Sequence, residues 1–215
     1  MAVWFVSNCA AKSGRLEYVH QLQRHIQVDI YGGCGTLKCP HNKQAECRSN
    51  MERDYKFVIS FENSMCLDYI TEKFFYNLGF NIVPIVLDLN GNYAKIAPPK
   101  SYINALDYPT VKDLADYLKV LDKNDTLYNE YFWWKKHYVF GGSSPACQLC
   151  SRLHDPSHPI SVQKNLTKWW HYDASCKTVK FGQDNETWIA EDFIPPYDGQ
   201  WPHGPGHWNA VANFK

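Results

Sequence analysis

The sequence predicts an α/β fold: a parallel sheet with helices on both faces, followed by an irregular C-terminal tail. Two stretches carry that prediction. Near the N-terminus, a short apolar run, a polar turn, a helically spaced segment and a second β-branched run form a β-loop-α-β unit, the signature of a parallel sheet. In the middle, Tyr55 to Leu78 reads YKFVISFENSMCLDYITEKFFYNL. Its β-branched and aromatic opening breaks at Glu62-Asn63-Ser64 and resumes as a charged helix start. An apolar strand that ends in a polar loop and then a helix is where an open α/β sheet binds its ligand, outside the carboxyl ends of its strands.

Taken in order, residues 2–7 (AVWFVS) form the first strand, and Ser7-Asn8-Cys9 opens a turn ending near Gly14. Leu16, Val19, Leu22 and Ile26 recur at helical spacing from Arg15 to His25. Val28 to Tyr31 is a second strand, closed by Gly32-Gly33, and 32–54 reads as a Cys-rich loop. The central strand follows, with a helix resuming at Asp68, for which Asp68 or Thr71 can serve as cap. Ile82 to Leu87 is a fourth strand whose Pro84 argues for a strand end or bulge. A loop over 88–100 leads to a short fifth strand, Ser101 to Ala105. Val111, Leu114, Leu118 and Leu121 then mark an amphipathic helix, with Thr110 and Asp113 as its capping pair. Thr126 to His137 reads as an aromatic-rich helix. The periodic pattern fails after Cys150. The chain therefore divides into a ligand-binding domain over 1–150 and an irregular tail over 151–215, with one short helix around Val162 to Trp170.

Composition narrows the function. Lys plus Arg and Asp plus Glu both number 22, so no whole-chain charge favours nucleic acid or an anionic membrane. Any anion site must be local. No signal peptide or apolar run of about 20 residues is visible, and a chain that begins inside a strand reads as the downstream part of something longer. Eight cysteines occur, several in loop-like sequence, along with three N-glycosylation sequons at Asn124, Asn165 and Asn185. Together they favour a lumenal or secreted setting.

Three constellations carry chemistry. Ser7, Asn8 and Arg15 flank a strand-to-helix loop, where backbone N–H groups and a guanidinium fork suit a phosphate. Asn63, Tyr69, Glu72 and Lys73 surround the central break. There Lys73 offers a point charge to phosphate, Glu72 accepts hydrogen bonds from vicinal sugar hydroxyls, and Tyr69 can stack or donate. The bland alternatives are a surface Arg and a solvated Glu-Lys helix face. No GxGxxG or Walker loop is present. Cys147-Gln-Leu-Cys150 lacks the second pair of a zinc site and the context of a redox motif, so structural disulfides are the expected use. The Pro and Gly residues around His203 and His207 exclude a shared helical face, so no metal site is expected there.

FENSMCLDYITEKFFYNL resembles the signature of the α1,3-fucosyltransferases. SNCAAKSGR, VDIYGGCG, VPIVL, SYINALDY, YLKVLDKNDTLYNEYFWWK and CQLC fall in that family's order from about Val3 to Cys150. The SNC and YGGC variants look most like the invertebrate and plant enzymes that fucosylate the N-glycan core. The resemblance implies one Rossmann-like lobe of a GT-B enzyme that binds GDP-fucose as donor, with no cofactor or metal. It implies transfer of L-fucose, with inversion, to a GlcNAc 3-hydroxyl of a glycoprotein N-glycan. Donor contacts would come from Trp4, Ser7, Asn8, Arg15, Asn63, Tyr69, Glu72 and Lys73. The family's catalytic base is a carboxylate of the preceding lobe, and no residue here is nominated in its place. A non-catalytic GDP-sugar or glycan-binding module is the alternative. Golgi lumenal residence would follow, with anchoring only through a preceding membrane segment. The family's CxxC cysteines, matched by Cys147 and Cys150, bond to that lobe, whereas Cys9 and Cys34 follow neighbouring strands and can pair with each other.

Overall fold

The computed structural model describes residues 1–40, 42, 44–139, 144–160 and 162–192. Residues 193–215, with His203 and His207, lie outside the described residues. Five parallel strands form the main sheet: β1 (Ala2–Phe5), β2 (Val28–Tyr31), β3 (Phe57–Ile59), β4 (Val83–Val86) and β5 (Ile103–Asn104). Their spatial order is β2-β1-β3-β4-β5. The winding therefore reverses between β1 and β3, which is the switch point of a doubly wound sheet.

The strands are apolar on both sides because helices cover both. On one face, Ala2, Trp4, Val6, Phe57, Ile59, Val83 and Ile85 pack against Tyr18, Val19 and Leu22 of α1 (Arg15–Gln23) and Leu114, Leu118 and Leu121 of α5 (Val111–Lys123). On the other, Val3 and Val58 meet Met51 of α2 (Gln44–Asp54). Farther along that face, Val86 meets Phe74 and Leu78 of α3 (Glu72–Leu78) and Tyr93 of α4 (Asn92–Ile96). The capping box at α5 forms as read: Thr110 and Asp113 satisfy each other's backbone N–H.

Several local readings are corrected. The Cys-rich segment 32–54 contains α2, whose polar surface and single buried Met51 hide its periodicity. The helix expected from Asp68 begins at Glu72, because Asp68 sits at φ 57°, a left-handed conformation a helix cannot use. Pro84 lies inside β4, opposite Val58. Val83 N–H donates to Lys56 O at 3.1 Å, so the next residue's nitrogen faces β5, which starts only opposite Ile85. Pro84 thus omits a bond that no strand is there to accept. The segment from Thr126 splits into α6 (Asp125–Asn129) and a 3₁₀ stretch, Glu130–Lys136. Cys147 and Cys150 lie on α7 (Pro145–His154), which runs through position 150.

The tail also differs from its expected irregularity. After α8 (Leu166–Lys168) and a π-helical turn, Trp169–Asp173, come β6 (Lys177–Phe181) and β7 (Trp188–Asp192), paired antiparallel. This hairpin is seated on the domain. Val179 is buried in the main core, and its N–H donates to Ser13 O at 3.1 Å. Trp188 Nε1 donates to Tyr108 O at 3.0 Å, and His25 Nε2 lies 2.8 Å from Glu186. Gly14 makes the seating possible: its φ is 78°, and a Cβ there would stand 2.1 Å from Val179 O.

Gly14→Ala should therefore cost more than the ~1–2 kcal/mol of a left-handed alanine, because β6 must also shift. Gly91→Ala, at φ 65° with nothing within 4 Å, should show the backbone cost alone. Urea midpoints of the two variants test this, and equal losses would mean the hairpin is not held against Gly14.

Candidate functional site

The crevice lies beyond the carboxyl ends of β1 and β3 and is built by two loops, Val6–Gly14 and Ser60–Thr71. Four hydrogen bonds tie them together. Ser13 N–H donates to Asn63 O at 3.2 Å and Ser13 Oγ to Glu62 O at 2.9 Å. Arg15 Nη1 donates to Phe61 O at 2.8 Å and Nη2 to Asn8 O at 2.9 Å. The first loop is also fixed to the one after β2. Cys9 and Cys34 form a disulfide, and Ser7 Oγ accepts from Gly33 N–H at 3.3 Å.

Arg15 was expected to face a phosphate. Instead it is 2% exposed, with both terminal nitrogens on backbone carbonyls. Its guanidinium stacks over Trp4, 5.6 Å from the ring centroid. Burial draws its pKa below the ordinary value, against the opposing pull of Glu62 and Tyr69. Trp4, expected at the pocket wall, is likewise buried and forms the floor beneath Arg15. Both residues position the loops. Arg15 Nε and Asn63 Oδ1 are buried polar atoms with no protein partner.

The second loop is organised by Glu62, which sequence reasoning took only as part of the polar break. Its carboxylate is 4% exposed. It accepts from Thr71 N–H at 2.7 Å and from Thr71 Oγ1 at 2.8 and 2.9 Å. Lys73 Nζ stands 3.3 Å away. Thr71 precedes α3, yet its hydroxyl caps no helical N–H because Glu62 holds it. Lys73 Nζ donates to Thr71 Oγ1 at 2.9 Å and to Glu72 Oε1 at 3.1 Å. Asn77 locks the start of α3 by donating to Lys73 O and Ser60 Oγ.

These contacts set the local charge. Burial alone would lower the Lys73 pKa, but Glu72 and Glu62 outweigh it and hold the ammonium above its ordinary range. Burial would raise Glu72, and hydrogen bonds from Lys73 and Thr71 hold it below. Burial and the Glu62 charge keep Tyr69 protonated. Lys73 thus has one buried, permanent anchor in Glu62. Its other, Glu72, has a side chain 77% exposed and is free to exchange for an incoming anion. The structure gathers Asn63, Tyr69, Glu72 and Lys73 on one loop and helix start, with Ser7 and Asn8 exposed opposite.

A third support comes from the tail. Cys66 is bonded to Cys176, Leu67 N–H donates to Ala174 O at 2.7 Å, and Lys177 N–H to Met65 O at 2.8 Å. On the other side, Asp88 caps α4, and Asn92 exchanges hydrogen bonds with Asp68 N–H and Cys66 O. Two hollows flank the loops: about 140 Å³ beside Ser7, Tyr31 and Arg48, and about 430 Å³ between Tyr69 and Trp170. A larger one of about 790 Å³, by Lys100 and Trp133, touches none of the crevice residues. Cys39 and Cys47 form a further disulfide, while Cys147 and Cys150, whose partners the resemblance places in the preceding lobe, carry free, exposed thiols. Asn124, Asn165 and Asn185 are all exposed. Among the described residues, no group of three or more His, Cys, Asp or Glu is placed to hold a metal ion.

The comparisons with known proteins agree with this geometry. Residues 1–169 match the model of glycosyltransferase family 10 (fucosyltransferase), C-terminal part. Glycoprotein 3-alpha-L-fucosyltransferase A of Drosophila melanogaster is 44% identical over 179 residues, which is 81% of this chain and 36% of that protein. Alpha-(1,3)-fucosyltransferase C of the same organism is 43% identical over 171 residues, 79% of this chain and 40% of that protein. A crystal structure of an α1,3-fucosyltransferase with GDP superposes with a TM-score of 0.50 at 26% identity, over 62% of this chain and 38% of that one. The chain thus spans roughly two fifths or less of the length of these relatives. With a parallel sheet wound 2-1-3-4-5, the FENS…DYITEK loop at its switch point and a family match over most of its length, this chain belongs to glycosyltransferase family 10, the fucosyltransferases.

Proposed function

We propose that this chain is the donor-binding lobe of a Golgi α1,3-fucosyltransferase that moves L-fucose from GDP-fucose to a GlcNAc 3-hydroxyl of a glycoprotein N-glycan. The observation that carries the reading is the lysine at the switch point: Lys73, fixed by buried Glu62 and Thr71 and only loosely held by Glu72. In the transfer, the acceptor oxygen attacks the anomeric carbon, the bond from that carbon to the diphosphate oxygen breaks, and GDP departs with the bonding pair. Negative charge grows on the terminal phosphate, and a preorganised ammonium lowers the barrier by meeting it there. Lys73 fills that role. Glu72, once Lys73 turns to the phosphate, is free to accept hydrogen bonds from vicinal hydroxyls, and Tyr69 supplies a protonated hydroxyl and a ring face. Asn63 adds to the same wall, Ser7 and Asn8 line the opposite one, and Arg15 and Trp4 act through the loops they hold.

The acceptor proton needs a base. Glu62 is enclosed by Thr71 and Lys73, and Glu72 is held below the usual carboxylate range, so neither is assigned that task. As the resemblance implies, it falls to a carboxylate of an acceptor-binding lobe. Lumenal residence is supported by three disulfides among the described residues and by the exposed sequons. Asn124 and Asn165 cap helices through their side-chain carbonyl oxygens, which leaves each amide nitrogen for a glycan. No helix among the described residues is long and apolar enough to cross a membrane.

Calorimetric titration with GDP tests the donor site. Lys73→Ala should weaken GDP about tenfold or more, in line with loss of a charge-assisted hydrogen bond worth ~1.5–3 kcal/mol. Unchanged affinity would remove Lys73 from the site and with it this reading. Glu62→Gln should also weaken GDP, because Lys73 loses its fixed anchor. Glu62→Ala should lower the unfolding midpoint as well, since breaking a buried ion pair typically costs ~3–5 kcal/mol. For Arg15→Ala, a fall in the unfolding midpoint should exceed any effect on GDP that Arg15→Lys produces. A folded Arg15→Ala variant blind to GDP would instead show direct phosphate contact.

A further inference from the structure

We propose that the cleft between the donor loop and the Trp169–Asp173 turn binds a neutral sugar ring of the acceptor glycan. The inference rests on the fucosyltransferase reading above and adds to it a place for the acceptor on this lobe. The cleft is about 430 Å³, within the ~300–1,000 Å³ of small-molecule sites. Trp169 and Trp170 line it at 49% and 60% exposure, with ring centroids 5.8 Å apart and planes inclined by 57°. Tyr69 lines the opposite wall and belongs also to the donor crevice, so the two sites are continuous. Two indoles left half in water at the rim of a reaction site offer apolar faces suited to the C–H face of a pyranose.

The polar lining selects the ligand class. Asp68 and Asp173 are the charged groups on the wall. Each is ion-paired with a lysine outside the lining, Lys95 at 3.6 Å and Lys168 at 3.5 Å, and its side chain is well exposed to water. Carboxylates beside aromatic rings accept hydrogen bonds from sugar hydroxyls, and with no lysine or arginine in its lining the cleft offers a diphosphate no cation. The occupant is therefore a neutral carbohydrate and not the nucleotide. The walls are also held in place before any ligand arrives. The Cys66–Cys176 bond and the Leu67-to-Ala174 hydrogen bond join them, and Asp68 (φ 57°) and Ser175 (φ 44°), one on each side, are kept in left-handed conformations. A π-helical turn of this kind often marks a functional site.

The test titrates the 215-residue chain, saturated with GDP, with a biantennary N-glycan ending in GlcNAc. Trp169→Ala and Trp170→Ala should each weaken the glycan about tenfold while leaving the GDP affinity unchanged. Trp169→Tyr and Trp170→Tyr, which keep an aromatic face, should recover most of the binding and guard against misfolding. Asp173→Asn should weaken it severalfold, and Trp133→Ala, an exposed tryptophan elsewhere, should do nothing. Glycan binding that ignores the Trp169 and Trp170 variants, or no glycan binding at all while GDP still binds, would overturn the cleft and leave the donor reading standing. Loss of GDP affinity in those variants would also overturn it, by making the cleft part of the donor site. Failure of the unmodified chain to bind GDP would instead defeat the reading on which the cleft depends.

Discussion

A carboxylate buried where the sheet reverses its winding governs the architecture of the site. Glu62 at 4% exposure is costly unless its oxygens are matched, and Thr71 and Lys73 match them. That match fixes the distance between the end of β3 and the start of α3. It also withdraws the Thr71 hydroxyl from helix capping and sets the Lys73 ammonium at the crevice floor. Arg15 performs the equivalent task for the loop after β1, with two carbonyls as partners and Trp4 beneath. Buried opposite charges thus serve as positioning devices, and the groups free to meet a ligand are the ones these devices hold up.

The Ser60–Thr71 loop is short of regular structure, so its order must come from outside it. Neighbours on all sides supply it: Ser13 from the first loop, Arg15 from α1, Asn92 from α4, Asn77 from α3, and the tail through Cys66–Cys176. The disulfide spans 110 positions in sequence, so it constrains a long stretch of the unfolded chain and contributes most through that loop entropy. The tail is accordingly part of the site's construction, although no periodicity announces it. A loop held from several sides loses little further entropy on binding, which is what a preorganised electrostatic site requires.

How much could be read beforehand varied with the physics of each element. The sheet was legible because parallel strands covered on both faces are nearly continuous apolar runs, as in Val83–Val86. Helix α5 was legible because a solvent face and a capping box both mark it. Helix α2 was not, because it buries little beyond Met51. The hairpin was hidden because β6 and β7 carry one fully buried residue between them, Val179, and owe their place to backbone pairing and to Gly14. Asn63, Tyr69, Glu72 and Lys73 were singled out from residue type, position and the resemblance, and the structure gathers them on one loop and helix start. What composition does not disclose is which cation faces outward: Arg15 and Lys73 read alike, and only burial separates the one that braces the loops from the one that reaches the crevice. Glu62 was equally unreadable, since a carboxylate after a strand is ordinarily solvated.

Burial also divides the charge of the site. On one side of the Ser60–Thr71 loop lie Arg15 and Lys73, the latter paired with Glu62 and the exposed Glu72, and on the other Asp68 and Asp173 line the cleft, each paired with a lysine, with Tyr69 between them. A nucleotide sugar is anionic at one end and neutral at the other. Under the donor reading proposed above, its diphosphate would take the place of Glu72 at Lys73, and the neutral sugar is the end left to approach the Tyr69 boundary. A second neutral sugar can approach the same boundary from the tryptophan side without competing for the cation. The two substrates of a glycosyl transfer differ in charge, and under the proposals above a loop with a displaceable cation partner on one side and hydroxyl acceptors on the other would receive them in one orientation. The rigidity of the loop matters for that reason: if it could turn over, its two sides would no longer distinguish a diphosphate from a neutral sugar.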